Sequence, residues 1–239
     1  MRLRGIIVVV LLFVVTGIPA VVWGIDGAEG LSSLSDGEID KRLRFIMERL
    51  DEGQRNAQYW QYGWTGFYAI GSVTQSVAAI DEDDSDDRVN YVVSAVKSAA
   101  ALTDLLLRPL PARHGADEIR TMPAGTRQEN LQRLYRGEEL LRANAERARE
   151  RTSWKPHLTV VGVNLVAGAF IWGFGDGDDA AVSTALGIAV GEAAIWTQPG
   201  RATTDLEDYE RRFAGFRTKT KITWHIVPIM GGAVVRVSF

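Results

Sequence analysis

The sequence predicts a mainly α-helical protein. We expect a helical bundle built from two apolar αα-hairpins plus amphipathic helices, with an N-terminal signal segment and a C-terminal β-hairpin. Three observations predict it. Apolar residues recur at helical spacing through most of residues 36–216. Segments 61–109 and 157–199 repeat one order, namely apolar helix, acidic turn, apolar helix, proline. The last residues change character, becoming β-branched and alternating around a glycine pair.

Composition narrows the function. The chain has 239 residues, is 46% hydrophobic and 24% charged, and carries a net charge of −3. That argues against a general nucleic-acid binder. The absence of cysteine excludes disulfides, thiolate metal sites and a cysteine nucleophile. A mean hydropathy of −0.04 is too low for a chain made mostly of membrane spans.

Arg2 and Arg4 precede residues 5–24, which carry no charge and are rich in Val, Ile and Leu. This reads as a signal peptide or signal anchor over 1–24. At about 1.5 Å per residue the run is long enough to span a bilayer if it is retained. Residues from Ile25 onward are then exported, to the periplasm or the periplasmic face of a membrane. Residues 25–35 are small and polar and read as a linker. The bundle follows over 36–216 and the hairpin over 217–239.

Ser35 and Glu38 have capping-box spacing and open the first helix. A seam with 4–3 spacing then runs through Ile39, Leu43, Ile46, Leu50, Gly53, Ala57, Trp60, Trp64, Phe67 and Gly71. Its second half, 61–80, has no charge and is expected to be buried nearly all round. The acidic turn 81–87 leads into a helix over 86–108, ended by Pro109 and Pro111. Residues 109–125 hold three prolines and read as an ordered crossing or an exposed loop. Thr126 with Glu129 caps a charged helix to about Thr152. Apolar helices over 157–174 and 180–197 flank a second acidic turn, and Thr204 with Glu207 caps a short helix to about Phe213. The two apolar hairpins, each too small to bury its own faces, are expected to pair as a four-helix core.

Charge placement bears on membrane insertion. Both inter-helix turns are acidic, and Arg49, Arg55, Arg108, Arg113, Arg147, Arg149 and Arg151 gather at the other end. The positive-inside rule would place that end in the cytoplasm, whereas the N-terminal signal places it outside. Lys97, Asp104, Asn164 and Glu192 also interrupt the candidate spans. The reading preferred from sequence is therefore a periplasmic or membrane-associated bundle.

Few residues suggest chemistry. His114, His157 and His225 lack metal-ligand spacing, and neither acidic turn has the pattern of a calcium loop. No cofactor or metal is expected. Asp104 and Glu192 are candidate buried carboxylates, which a nearby arginine or the bundle edge would account for equally well. Trp60 and Trp64 lie in a dense aromatic cluster, which suits core packing or a binding surface. Ile222 and Trp224 share a face of the terminal hairpin, and Phe239 ends it, so all three are candidate partner contacts. The function expected is non-catalytic: a cell-envelope structural or assembly protein acting through protein partners. The alternative is a membrane-embedded pore, transport or permeability factor built on the two apolar hairpins.

Overall fold

The structure is a computed structural model that describes residues 33–213 and, for Thr223–Ile229 and Gly232–Ser238, the backbone alone. Residues 34–239 form one unit, separate from residues 1–33. The signal segment expected at 1–24 lies outside the described residues, as does most of the linker. The two C-terminal backbone segments are extended and antiparallel. The side chains of the hairpin expected there, including Ile222, Trp224 and Phe239, also lie outside the described residues.

The described fold is mainly helical. Helix α1, Asp36–Asp81, is a single 46-residue helix. Ser35 caps it, its hydroxyl accepting from the Glu38 N–H at 3.3 Å. No proline interrupts it, so it runs for about 70 Å at 1.5 Å per residue. Asp84 caps α2, Ser85–Leu107, by accepting from the Asp86 N–H at 2.8 Å. Then come a 3₁₀ turn at Pro111–His114, a short α3 at Asp117–Thr121, and α4 at Arg127–Arg151. The α4 capping box is complete. The Thr126 hydroxyl accepts from the Glu129 N–H at 3.2 Å, and the Glu129 carboxylate accepts from the Thr126 N–H at 2.9 Å. Helices α5 (Trp154–Phe174), α6 (Gly177–Trp196) and α7 (Arg201–Phe213) complete the set.

Several boundaries differ from expectation for local reasons. Helix α5 begins before Pro156, because a proline in the first turn loses an N–H that has no helical partner anyway. Helix α6 begins early because Asp176 accepts from both the Asp178 and Asp179 N–H groups. The stretch 109–125 takes the first of its two expected forms, an ordered crossing with two short helical turns. Gly115 has φ +57°, and a Cβ there would lie 2.8 Å from Gln54 Oε1, so glycine is required. The Ala116 N–H then donates to Asp51 at 3.1 Å, and Ile119 is fully buried.

The first half of α1 packs with α3, α4 and α7 as a head with an ordinary core. Ile39, Leu43, Ile46, Leu50, Ile119, Leu134, Leu141 and Leu206 are buried, each stabilising by about 1.5–3 kcal/mol. Gly137 lets α4 approach closely, since a Cβ there would meet Ile46 Cγ2 at 3.1 Å and Ile119 Cδ1 at 3.2 Å. Glu138 is buried but satisfied, accepting from Tyr209 Oη at 2.5 Å and from Arg142 at 2.9 Å. The burial of Tyr209 and the adjacent Glu138 carboxylate push the phenol well above its usual pKa.

Beyond Trp60 the seam expected from the sequence stops being core. Trp64 is only partly buried, and Phe67 is 51% exposed. This second region, the arm, contains the rest of α1 against α2, and α5 against α6, with α2 touching both members of the second pair. No large shared apolar core forms among its described residues. Apart from Ile171, the buried positions in its middle are Ala95, Asn164, Gly168, Ala180 and Ser183. Ile70, Val73, Ile80, Trp172 and Phe174 face outward.

Head and arm join at Gln61, which is 2% exposed. Its amide donates to Leu105 O at 2.9 Å and accepts from the Leu110 N–H at 2.9 Å. It thereby satisfies the backbone where α2 ends and prolines prevent continuation.

Candidate functional site

The middle of the arm holds a polar cluster on α2, α5 and α6. Lys97 Nζ donates to Ser183 O at 3.2 Å and to Ser183 Oγ at 2.9 Å. Ser94 Oγ lies 3.5 Å from Ser183 Oγ. The Asn164 amide nitrogen donates to Val160 O at 2.9 Å, and Thr184 Oγ1 donates to Asn164 O at 3.4 Å. One turn nearer the acidic end, Asn90 donates to the Asp179 carboxylate at 3.0 Å.

Small residues make this arrangement possible. A Cβ on Gly168 would overlap Thr184 Oγ1, and one on Gly187 would overlap Asn164 Oδ1. A Cβ on Gly191 would lie 2.5 Å from Val160. The Gly187–Gly191 spacing thus brings α5 and α6 close and admits polar side chains between them.

Two features of the cluster stand out chemically. Asn164 is buried, and its Oδ1 has no hydrogen-bond partner. No carboxylate among the described residues lies within ion-pair distance of Lys97. A cation and an orphaned acceptor therefore sit together, each costly to keep away from water unless satisfied.

The candidate residues expected from sequence lie mostly at the junction of arm and head. Asp104 is neither buried nor alone, since it pairs with Arg108 and with Arg151 at 3.1 Å. Glu192 accepts from the Trp196 indole at 3.2 Å and lies 2.7 Å from His157 Nδ1. Trp60 is buried, and its indole donates to Ala194 O at 3.0 Å. Trp64 donates to Thr197 Oγ1 at 3.1 Å. Both line a shallow groove with Tyr59 and Phe67. Both tryptophans therefore tie α1 to the end of α6.

Arginines gather beside this junction. Arg147 donates to Arg108 O at 2.8 Å, and Arg151 stacks 5.9 Å over the Trp60 ring. Burial, reinforced by Arg147 and Arg108, pushes Arg151 down to about 10, so it stays charged at neutral pH.

No group of three or more His, Cys, Asp or Glu residues capable of holding a metal occurs among the described residues. The other partner of the His157–Glu192 pair is the Trp196 indole, which donates to the same carboxylate oxygen.

In the sequence Lys97 and Asn164 stand out only as interruptions of apolar runs. The signal that could have joined them was their placement opposite Ser183 and Gly187 across a hairpin of small residues. Recognising it requires the helix phase that only packing supplies.

No protein-family model matches the chain, and no curated protein or solved structure shows significant similarity to it.

Proposed function

We propose that the protein is a non-catalytic membrane-embedded transport or permeability factor, its arm lying at bilayer depth and its head in water. One observation carries this reading. In the arm the buried positions other than Leu105 and Ile171 are small or polar, while many large apolar side chains face outward, in contrast to the head. Outward apolar faces suit lipid, and an inward polar cluster suits a path or site for a polar solute.

Further features support it. Two helical stretches are long and apolar enough to cross a membrane, Trp154–Phe174 and one within Gly177–Phe213. A 21-residue helix spans about 30 Å, the thickness of a hydrocarbon core. Tyr59, Tyr62, Trp154 and Trp196 are exposed at the head end of the arm, where an interfacial aromatic belt would lie. Trp172 and Phe174 occupy the far end.

The lack of native cysteine allows a direct test. Asp83→Cys lies in the acidic turn and Glu139→Cys on the exposed face of the head. A membrane-impermeant maleimide should label the two variants from opposite sides of sealed vesicles. Labelling of both from one side would overturn the embedding. It would favour instead an envelope assembly protein whose apolar faces are covered by protein partners.

A further inference from the structure

We propose that Lys97, Asn164 and the hydroxyls of Ser94 and Thr184 bind a small oxyanion that carries a hydroxyl, for which hydrogencarbonate serves as the probe. The proposal rests on the membrane-embedded reading and names the solute class for the same cluster.

Depth excludes the simplest counter-ion. Lys97 is about 15 Å along α2 from Leu107 and about 18 Å from Ser85. It therefore lies near the middle of a helix of bilayer length, beyond the reach of lipid headgroups even for a snorkelling side chain. Its ammonium bonds to Ser183 instead of extending toward either end. An ammonium has three N–H donors, and Ser183 accepts two of them. A charge held in low dielectric without a counter-ion is expensive, which favours a negative ligand at the third.

Asn164 adds a second requirement. Its amide nitrogen bonds Val160 O, which fixes the orientation of the amide. The orphaned atom is therefore the oxygen, an acceptor that needs a donor. The two requirements meet at one place. A Cβ built on Gly187 would lie 3.2 Å from Lys97 Nζ and directly against Asn164 Oδ1. The cation and the acceptor thus converge on the same glycine. Ser94 holds only long contacts, 3.5 Å to both Asn90 Oδ1 and Ser183 Oγ, and Thr184 donates to Asn164 O at 3.4 Å, so both hydroxyls can turn toward a ligand. Lys97 is also partly exposed, which leaves an approach to its ammonium.

A halide would satisfy Lys97 but not Asn164. Water would satisfy Asn164 but leave the charge unbalanced. An oxyanion bearing a hydroxyl satisfies both, its oxygens accepting from Lys97 and the hydroxyls while its own O–H donates to Asn164 Oδ1.

The test uses the full chain in lipid nanodiscs, with calorimetric titration of sodium hydrogencarbonate, nitrate and chloride at constant ionic strength. Hydrogencarbonate should bind at least tenfold more tightly than nitrate or chloride. K97M should lose binding of all three. N164L should bind hydrogencarbonate and nitrate alike. The wild-type preference needs no variant to fold, and T184V, which keeps the shape of the side chain, should weaken hydrogencarbonate severalfold. Equal affinity for all three anions in the wild type, no binding of any, or undiminished binding by folded K97M would overturn the site. Opposite-side cysteine labelling without anion binding removes the ligand and leaves the embedding, whereas same-side labelling removes both.

Discussion

The two halves of α1 follow opposite rules. From Asp36 to Trp60 the helix buries Ile39, Leu43, Ile46 and Leu50 and keeps its charges outside. Beyond Gln61 it has no charge until Asp81, and Phe67, Ile70, Val73 and Ile80 are turned outward. The same contrast separates α4 and α7 from α5 and α6. Hydrophobicity alone does not say which side of a helix is inside. What decides is where polar side chains find partners. In the head they reach water and one another. In the arm Lys97, Ser183 and Thr184 find partners between helices.

The largest expected effect sharpens this contrast directly. Leu134 is fully buried in the head, and Leu134→Asp should cost several kcal/mol, roughly 4 or more, by burying an unpaired charge. Circular-dichroism melts should show the head unfolded or strongly destabilised. Val73→Asp, at a position 63% exposed, should leave the melt of the head unchanged and reduce recovery in the membrane fraction. An unaffected membrane fraction with Val73→Asp would break the contrast.

The next effect probes the junction. Gln61→Leu keeps similar volume but orphans Leu110 N–H and removes a partner of Leu105 O. We expect a loss of about 2 kcal/mol, read as a lower denaturation midpoint, because a buried polar group left unsatisfied costs about 1–3 kcal/mol. A neutral result would mean that water reaches this backbone and that head and arm are less tightly joined. The smallest effect lies wholly in the head. Thr126→Ala removes one side of the α4 capping box and should cost about 1 kcal/mol without changing membrane recovery.

The sequence made the helices legible because their punctuation is local. Ser35, Asp84 and Thr126 act as caps, and prolines follow α2 and α6. The head core was legible for the same reason, since its seam keeps helical period as far as Trp60. The reversal beyond Trp60 was not, because Trp64 and Phe67 continue that period and spacing alone does not distinguish a covered face from an open one. The small α3 helix was hidden among prolines, its identity depending on Asp51 and Gln54 far away in sequence. The polar cluster was hidden because its members are distant in sequence and individually unremarkable. Only the close approach permitted by Gly168 and Gly187 brings them together.

The continuity of α1 has a mechanical consequence. Head and arm share one screw axis instead of a hinge, so their relative azimuth is quantised by residue count. Adding a single residue between Ala57 and Gln61 would advance everything beyond it by about 1.5 Å and rotate it by about 100°. The Trp60 and Gln61 ties to α6 and α2 would then point at the wrong neighbours. Length and rotation along this helix are a single coordinate, and the spacing between the two regions cannot change without turning one face of the molecule away from the other.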